Sequence, residues 1–147
     1  MTGRRLADAA CDRGGASAVE FALVVIPLLV LVFGVIEVGR AMWTREALQQ
    51  TAIAGARCMG VLNSNCATGG AYSASATTTY VQTVARGWGL VIPDSGVSLD
   101  RNAACAGVSG FSQVRVAYTF QAVAPGLLGP VGTGMPLSAT ACFPNNS

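Results

Sequence analysis

The hydrophobic and polar positions divide the chain into a strongly apolar N-terminal segment and a mixed remainder. Phe21 to Ile36 contains no charged residue, and Glu20 and Glu37 flank it. With the small and apolar neighbours on both sides, the segment covers residues 16–39. As a helix it is about 36 Å long, which spans a hydrocarbon core of roughly 30 Å. The two carboxylates then lie near the membrane interfaces, where a charge costs less than at the centre.

The helix is predicted to continue beyond the apolar segment, because the next twenty residues contain no Pro and are rich in helix formers. We expect one helix from about Ala18 to Met59. Small residues at Ala52, Ala56 and Gly60 allow a close approach, which we expect to be made by the protein's own sheet rather than by a partner helix. A second helix is predicted over 73–89, with Ser75 as its N-cap and Gly87 as its C-cap.

After Pro93 the pattern changes to the alternation that is typical of strands. Strands are predicted over 97–100, 112–123 and 136–143, and a Gly/Pro-rich loop separates the last two. An antiparallel sheet with one apolar face must be covered, and the outer half of the long helix supplies that cover. The predicted fold is therefore α+β, a long N-terminal helix packed on a small antiparallel sheet.

Composition and charge narrow the functional classes. The chain has 147 residues, 11% of them charged, no His, and nine basic residues that are all Arg. Without His or Lys it cannot build a Ser-His-Asp or Cys-His system, a histidine metal site or a Schiff base. The net charge of +2 is too small to favour nucleic acid. We expect no enzyme activity, cofactor, metal or small-molecule substrate.

The basic residues before the apolar segment predict the orientation of the chain in the membrane. The positive-inside rule favours a cytoplasmic N-terminus and an extracytoplasmic domain over residues 61–147. An ordinary secretory signal peptide is disfavoured, since the first Ala-x-Ala stretch after the apolar segment begins only at Ala52. The N-terminal charges are Arg4, Arg5 and Arg13, against Asp8 and Asp12.

Five cysteines are distributed between the two sides of the predicted membrane segment. Cys11 precedes it, and the other four suit an oxidising compartment, where three pairings are possible. If the last two strands form a hairpin, Cys105 comes close to Cys142, and Cys58 then pairs locally with Cys66. Free buried thiols are the alternative.

The spacing around the start of the apolar segment resembles a class III type IV prepilin signal. A charged leader ends at Gly15, Ala16 would be the new N-terminus, and Glu20 is its fifth residue. The segment SAVEFALVVIPLLVLVFGVIEVGRAMWTREALQQTAIAGAR is similar to the TadE-like pseudopilins of tight-adherence (Flp/Tad) pilus systems. The resemblance implies cleavage of residues 1–15 after Gly15 and a pilin-like architecture. The carboxylate of Glu20 would then pair with the new amine in its own chain or in a neighbouring subunit.

The function implied by this resemblance is that of a minor pilin or pseudopilin in the bacterial inner membrane that takes part in assembling a Tad/Flp pilus. Its implied partners are the membrane, a prepilin peptidase, other pilin and pseudopilin subunits and the Tad inner-membrane assembly platform. The alternative is an uncleaved single-pass anchor with an extracytoplasmic protein- or wall-binding domain. Glu37 and Arg40, three residues apart on one helical face, are predicted to pair at the membrane edge, or to take part in assembly.

Overall fold

A computed structural model of the protein describes residues 13–123 and 134–146. Several residues of the sequence predictions lie outside the described residues: the charged Arg4, Arg5, Asp8 and Asp12, the cysteine Cys11, and most of the Gly/Pro-rich loop. The chain divides into two compact units, Met1–Val38 and Gly39–Ser147.

Helix α1 (Arg13–Gly60) runs for 48 residues and contains Pro27. The predicted long N-terminal helix is therefore confirmed, and it begins a few residues earlier than expected. Residues 15–38 present their apolar side chains outward, so the first unit has no core of its own in the described part of the chain.

The second unit has the predicted α+β fold, and it includes the outer part of α1. Two short strands follow α1, then a helix and a single 3-10 turn, and finally three longer strands. These elements are β1 (Ala67–Thr68), β2 (Ala71–Tyr72), α2 (Ala74–Gly87), the turn at Asp94–Gly96, β3 (Val97–Cys105), β4 (Val108–Phe120) and β5 (Met135–Pro144).

The main sheet is antiparallel, with the order β3-β4-β5 and β4 in the centre. Strand β5 pairs with β4 without interruption from Phe111↔Pro144 to Phe120↔Met135, which confirms the predicted hairpin. Strand β3 joins β4 through Ala106 and Gly107, both in the left-handed region at φ 52° and 82°. Positive φ at both central residues is the conformation of a type I′ turn, the common two-residue hairpin connection.

The core of this unit lies between the outer half of α1, helix α2 and one face of the main sheet. Alternation along β4 and β5 places their apolar residues on that face, as the sequence pattern predicts. Fully buried side chains include Leu48 and Met59 of α1, Val81 of α2, and Val114 and Val116 of β4.

The small residues of α1 allow the close packing of this core. A side-chain carbon at Gly60 would lie 2.7 Å from the Phe143 ring, and one at Gly55 would lie 2.6 Å from Val81 Cγ2. Ala52 and Ala56 are also buried in the same cluster. The predicted contact of this small-residue face with the protein's own sheet is confirmed.

We predict that Gly55→Ala destabilises the domain although alanine is the better helix former. The added methyl group overlaps Val81, which is fully buried and has no room to move. Overpacking of this kind costs about 1–3 kcal/mol, against a gain of about 1 kcal/mol in helix propensity. Chemical denaturation of the detergent-solubilised chain measures the difference. Gly87→Ala is the matched control, because nothing lies within 4 Å of its added carbon, and its stability should equal or exceed the wild type. Equal stability of Gly55→Ala and the wild type would contradict the prediction.

The start of α2 differs from the prediction. Ser73, not Ser75, is the N-cap: its backbone is extended, and its Oγ accepts a hydrogen bond from the Ala76 N–H at 3.3 Å. Ser75 is already inside the first helical turn. At the other end Gly87 is the last helical residue, and Trp88 is the C-cap, with its N–H donating to the Ala85 carbonyl at 3.0 Å.

A cation–π contact and two backbone hydrogen bonds hold the outer parts of the domain in place. The Arg101 guanidinium lies 5.4 Å from the centroid of the Tyr72 ring. Burial raises the pKa of Tyr72, and the positive charge of Arg101 partly opposes that shift. Residues after β5 are also held, since the Asn145 N–H donates to the Gly110 carbonyl and the Asn146 N–H to the Gly60 carbonyl, both at 3.0 Å.

Candidate processing and assembly site

The predicted processing site lies in the first turn of α1. Gly15 and Ala16 are helical and exposed, and a side chain at Gly15 would meet nothing within 4 Å. The first N–H groups of a helix have no intrahelical acceptor, and glycine is among the weakest helix formers. The pair Gly14-Gly15 therefore makes this turn easy to open, and the bond between Gly15 and Ala16 joins two exposed residues.

Glu20 lies on the same face of α1 as Ala16. Four residues separate them, which is about one helical turn and about 6 Å along the axis. The first turn of α1 contains no acidic residue, and Glu20 is exposed. If the chain began at Ala16, the carboxylate of Glu20 would lie close to both the new amine and the positive end of the helix dipole, and both favour a negative charge.

The segment that follows Glu20 exposes its apolar side chains almost continuously. The window that best fits a membrane span has a mean hydropathy of 2.8, and none of its residues is buried. Phe21, Leu23 and Val24 are 66–70% exposed. Apolar surface of this extent requires a cover, which a lipid bilayer or a bundle of similar helices supplies. By length and composition α1 is able to cross a membrane.

Glu37 and Arg40, the predicted membrane-edge pair, lie three residues apart on α1. The Glu37 side chain is only 7% exposed. The guanidinium of Arg40 lies 5.5 Å from the centroid of the Phe120 ring, at the end of β4. This cation–π contact was not predicted, because nothing in the local pattern relates two residues eighty positions apart. The mutual pairing of Glu37 and Arg40 stays a prediction.

Both predicted disulfides are formed. Cys58 and Cys66 join the end of α1 to the following loop, with a Cα–Cα distance of 5.9 Å. Cys105 and Cys142 join β3 to β5 across the central strand, with a Cα–Cα distance of 6.5 Å. Gln113 of β4 lies beneath this bond and donates from Nε2 to Cys142 Sγ at 3.6 Å. Register shifts between Asp100 and Cys105 interrupt the pairing of β3 with β4 at the end of β3 that carries Cys105.

A further contact joins Trp43 of α1 to Trp88 at the end of α2. Their ring centroids are 5.7 Å apart with an interplanar angle of 67°, an edge-to-face arrangement. The sequence pattern marks Trp43 as an aromatic residue just after the apolar segment. The partnership with Trp88 arises only from the packing of α2 on α1, so no local signal could have revealed it.

A comparison with known families found a match within α1. Residues 15–57 match the model of the family described as TadE-like protein. This segment is similar to that family. The match covers the proposed processing site, the apolar segment and the outer half of α1, and the sheet lies beyond it. No curated protein and no solved structure matches the chain. The match lies entirely within α1, the helix that is able to cross a membrane by length and composition.

Proposed function

We propose that the protein is a minor pilin or pseudopilin that takes part in assembling a Tad/Flp-type pilus. A prepilin peptidase removes residues 1–15, and α1 holds the subunit in the inner membrane with its disulfide-bonded domain outside. The observation that carries the proposal is the TadE-like match over residues 15–57, which begins at the glycine of the predicted cleavage site. The protein performs no chemistry in this scheme, and it is itself the substrate of the peptidase.

The physical basis of assembly is lateral packing of apolar helices. Each subunit presents a long exposed apolar surface that lipid covers before assembly and neighbouring helices cover afterwards. The Glu20 carboxylate then meets the Ala16 amine of its own or an adjacent subunit. A charge pair sheltered among apolar helices is poorly screened by water, so it favours one axial register over others.

The disulfides of the second unit support an extracytoplasmic location for that domain. The two disulfides require an oxidising environment, which an extracytoplasmic domain has and a cytoplasmic one lacks. The partners that the proposal requires are the prepilin peptidase, other pilin or pseudopilin subunits and the Tad inner-membrane assembly platform.

The test of processing is Gly15→Leu, followed by mass measurement and N-terminal sequencing of the membrane-bound protein. We expect the wild type to lack residues 1–15 and to begin at Ala16, and Gly15→Leu to retain the full leader. Open space surrounds the added carbon and leucine is a good helix former, so folding of α1 should not suffer. A loss of processing would therefore come from the peptidase step.

Gly34→Leu is the matched control, because Gly34 also has nothing within 4 Å of an added carbon and lies inside the apolar segment. It should be processed like the wild type. A normally trimmed Gly15→Leu protein would place the cut elsewhere. An intact leader in all three proteins would instead support the alternative, an uncleaved single-pass anchor with a protein- or wall-binding domain.

A further inference from the structure

Trp43 and Trp88 form an exposed aromatic surface on the second unit. They are the two tryptophans of the chain. Despite their mutual contact, Trp43 is 61% and Trp88 38% exposed, and the neighbouring Met42 is 71% exposed. Large apolar side chains usually find cover, so two adjacent indoles left partly bare on a folded domain indicate a surface with a further contact.

The position of Trp43 along α1 sets its depth relative to a membrane that the helix crosses. It follows Gly39, the end of the predicted span, by four residues, which is about 6 Å along the axis. The polar layer on each side of the hydrocarbon core is about 5–8 Å thick. Trp43 therefore lies in the headgroup layer when α1 crosses the membrane. Because the two ring centroids are 5.7 Å apart, Trp88 lies within that distance of the same depth.

The chemistry of the two side chains suits this layer. Indole combines an apolar ring with an N–H donor, which is why tryptophan is enriched where hydrocarbon meets lipid headgroups. Basic residues are near both tryptophans in the sequence: Arg40 and Arg45 lie on either side of Trp43 in α1, and Arg86 precedes Trp88 in the last turn of α2. Guanidinium groups bind lipid phosphates through paired hydrogen bonds.

We propose that the Trp43–Trp88 pair docks the domain into the phospholipid headgroup layer of the membrane that α1 crosses. The inference rests on the membrane-spanning part of the proposed function. Docking adds a second attachment of the protein to the membrane besides the span. Trp88 belongs to the end of α2 and contacts α1 only because the domain is folded. Docking would hold the domain against the bilayer until assembly withdraws the subunit from lipid.

The test uses the full chain in nanodiscs of phosphatidylcholine and phosphatidylglycerol, with lipids brominated either near the headgroup or at the tail end. Trp43→Phe leaves Trp88 as the one fluorescent indole, and Trp88→Phe leaves Trp43. The cap of α2 uses the backbone N–H of residue 88, so phenylalanine preserves it. We expect headgroup-proximal bromine to lower the fluorescence of both variants about twofold, and tail-end bromine to have little effect, since indoles settle at the interface.

A third variant supplies the control: Trp43→Phe and Trp88→Phe combined with Val108→Trp. Val108 is 59% exposed and starts β4. Nearby Phe111 pairs with Pro144, whose carbonyl lies against Gly60 at the far end of α1 from Trp43. Seventeen residues of helix separate Trp43 from Gly60, about 26 Å. The probe at position 108 should therefore be unaffected by brominated lipid.

Each outcome separates the two proposals. Quenching of Trp43 without quenching of Trp88 overturns the docking proposal and leaves the membrane span intact. Absence of quenching at both positions overturns the docking proposal and also the placement of Trp43 at headgroup depth. If Trp88 is protected from aqueous iodide but not quenched by lipid, its cover is protein, either a second copy or a pilus subunit, and the lipid proposal is wrong. Equal quenching at positions 88 and 108 would also overturn it.

Discussion

Loss of the Cys105–Cys142 disulfide should lower the free energy of unfolding of the domain by about 4 kcal/mol. The bond closes a loop of 37 residues, for which the chain-entropy relation gives about 3.8 kcal/mol, and the Cys58–Cys66 bond closes one of 8, for about 2.5 kcal/mol. A domain of this size is stable by only about 5–15 kcal/mol. The longer loop therefore accounts for a large fraction of its stability.

The contribution of each disulfide to stability can be measured in a variant that keeps only that disulfide, by comparing its oxidised and reduced forms. The two forms have the same sequence. In the Cys58→Ala, Cys66→Ala double variant, a reductant breaks only the bond between β3 and β5. In the Cys105→Ala, Cys142→Ala double variant, it breaks only the bond at the end of α1. Urea unfolding of each protein with and without reductant should show the larger loss in the first. A larger loss in the second would contradict the loop-length argument.

Replacement of Glu20 by Gln should abolish pilus assembly while leaving processing intact. The side chain keeps its size but loses the charge that pairs with the Ala16 amine in the proposed assembly. Removing one partner of a buried charge pair costs about 3–5 kcal/mol, and in a filament this cost recurs at every such contact. In cells that lack their own copy of the protein, the variant should begin at Ala16 by N-terminal sequencing but yield no sheared pili.

Glu46→Gln is the matched control for the charge change. Glu46 also lies on α1, is exposed and accepts a hydrogen bond from Gln50 at 2.7 Å, so its loss should leave piliation unchanged. Wild-type amounts of pili from the Glu20→Gln strain would show that the carboxylate has no part in assembly. A Glu20→Gln protein that retains its leader would instead assign the carboxylate to peptidase recognition.

The elements with a strong period were predictable from the sequence. Alternation in β4 and β5 places Val114, Val116, Ala139 and Ala141 in the core, as expected. The hairpin inferred from this alternation led to the prediction of both disulfides, and both are formed. The apolar segment, together with the following residues of high helix propensity, similarly predicted α1. These patterns are strong because burial of one face enforces them along the whole element.

Features without a period were missed or misplaced. Strand β3 continues to Cys105 rather than ending at Asp100, because bulges interrupt its alternation. Strands β1 and β2 have two residues each, too few for any alternation to show. Ser73 and Ser75 were both possible N-caps of α2 by residue type. Only the backbone conformation, which is extended at Ser73, shows that Ser73 is the N-cap. The roles of Gly15, Ala16 and Glu20 concern partners, so a single chain does not contain the information that decides them.

The place of β5 in the chain has a consequence for biogenesis. This strand pairs with the central strand along its full length, carries the second half of a disulfide, and is followed by the asparagines that bond back to Gly60 and Gly110. If the domain is exported across the membrane as proposed, residues 135–146 emerge after every other part of the sheet. The domain therefore remains open, with Cys105 unpaired and available to a thiol oxidase, until those residues clear the translocon.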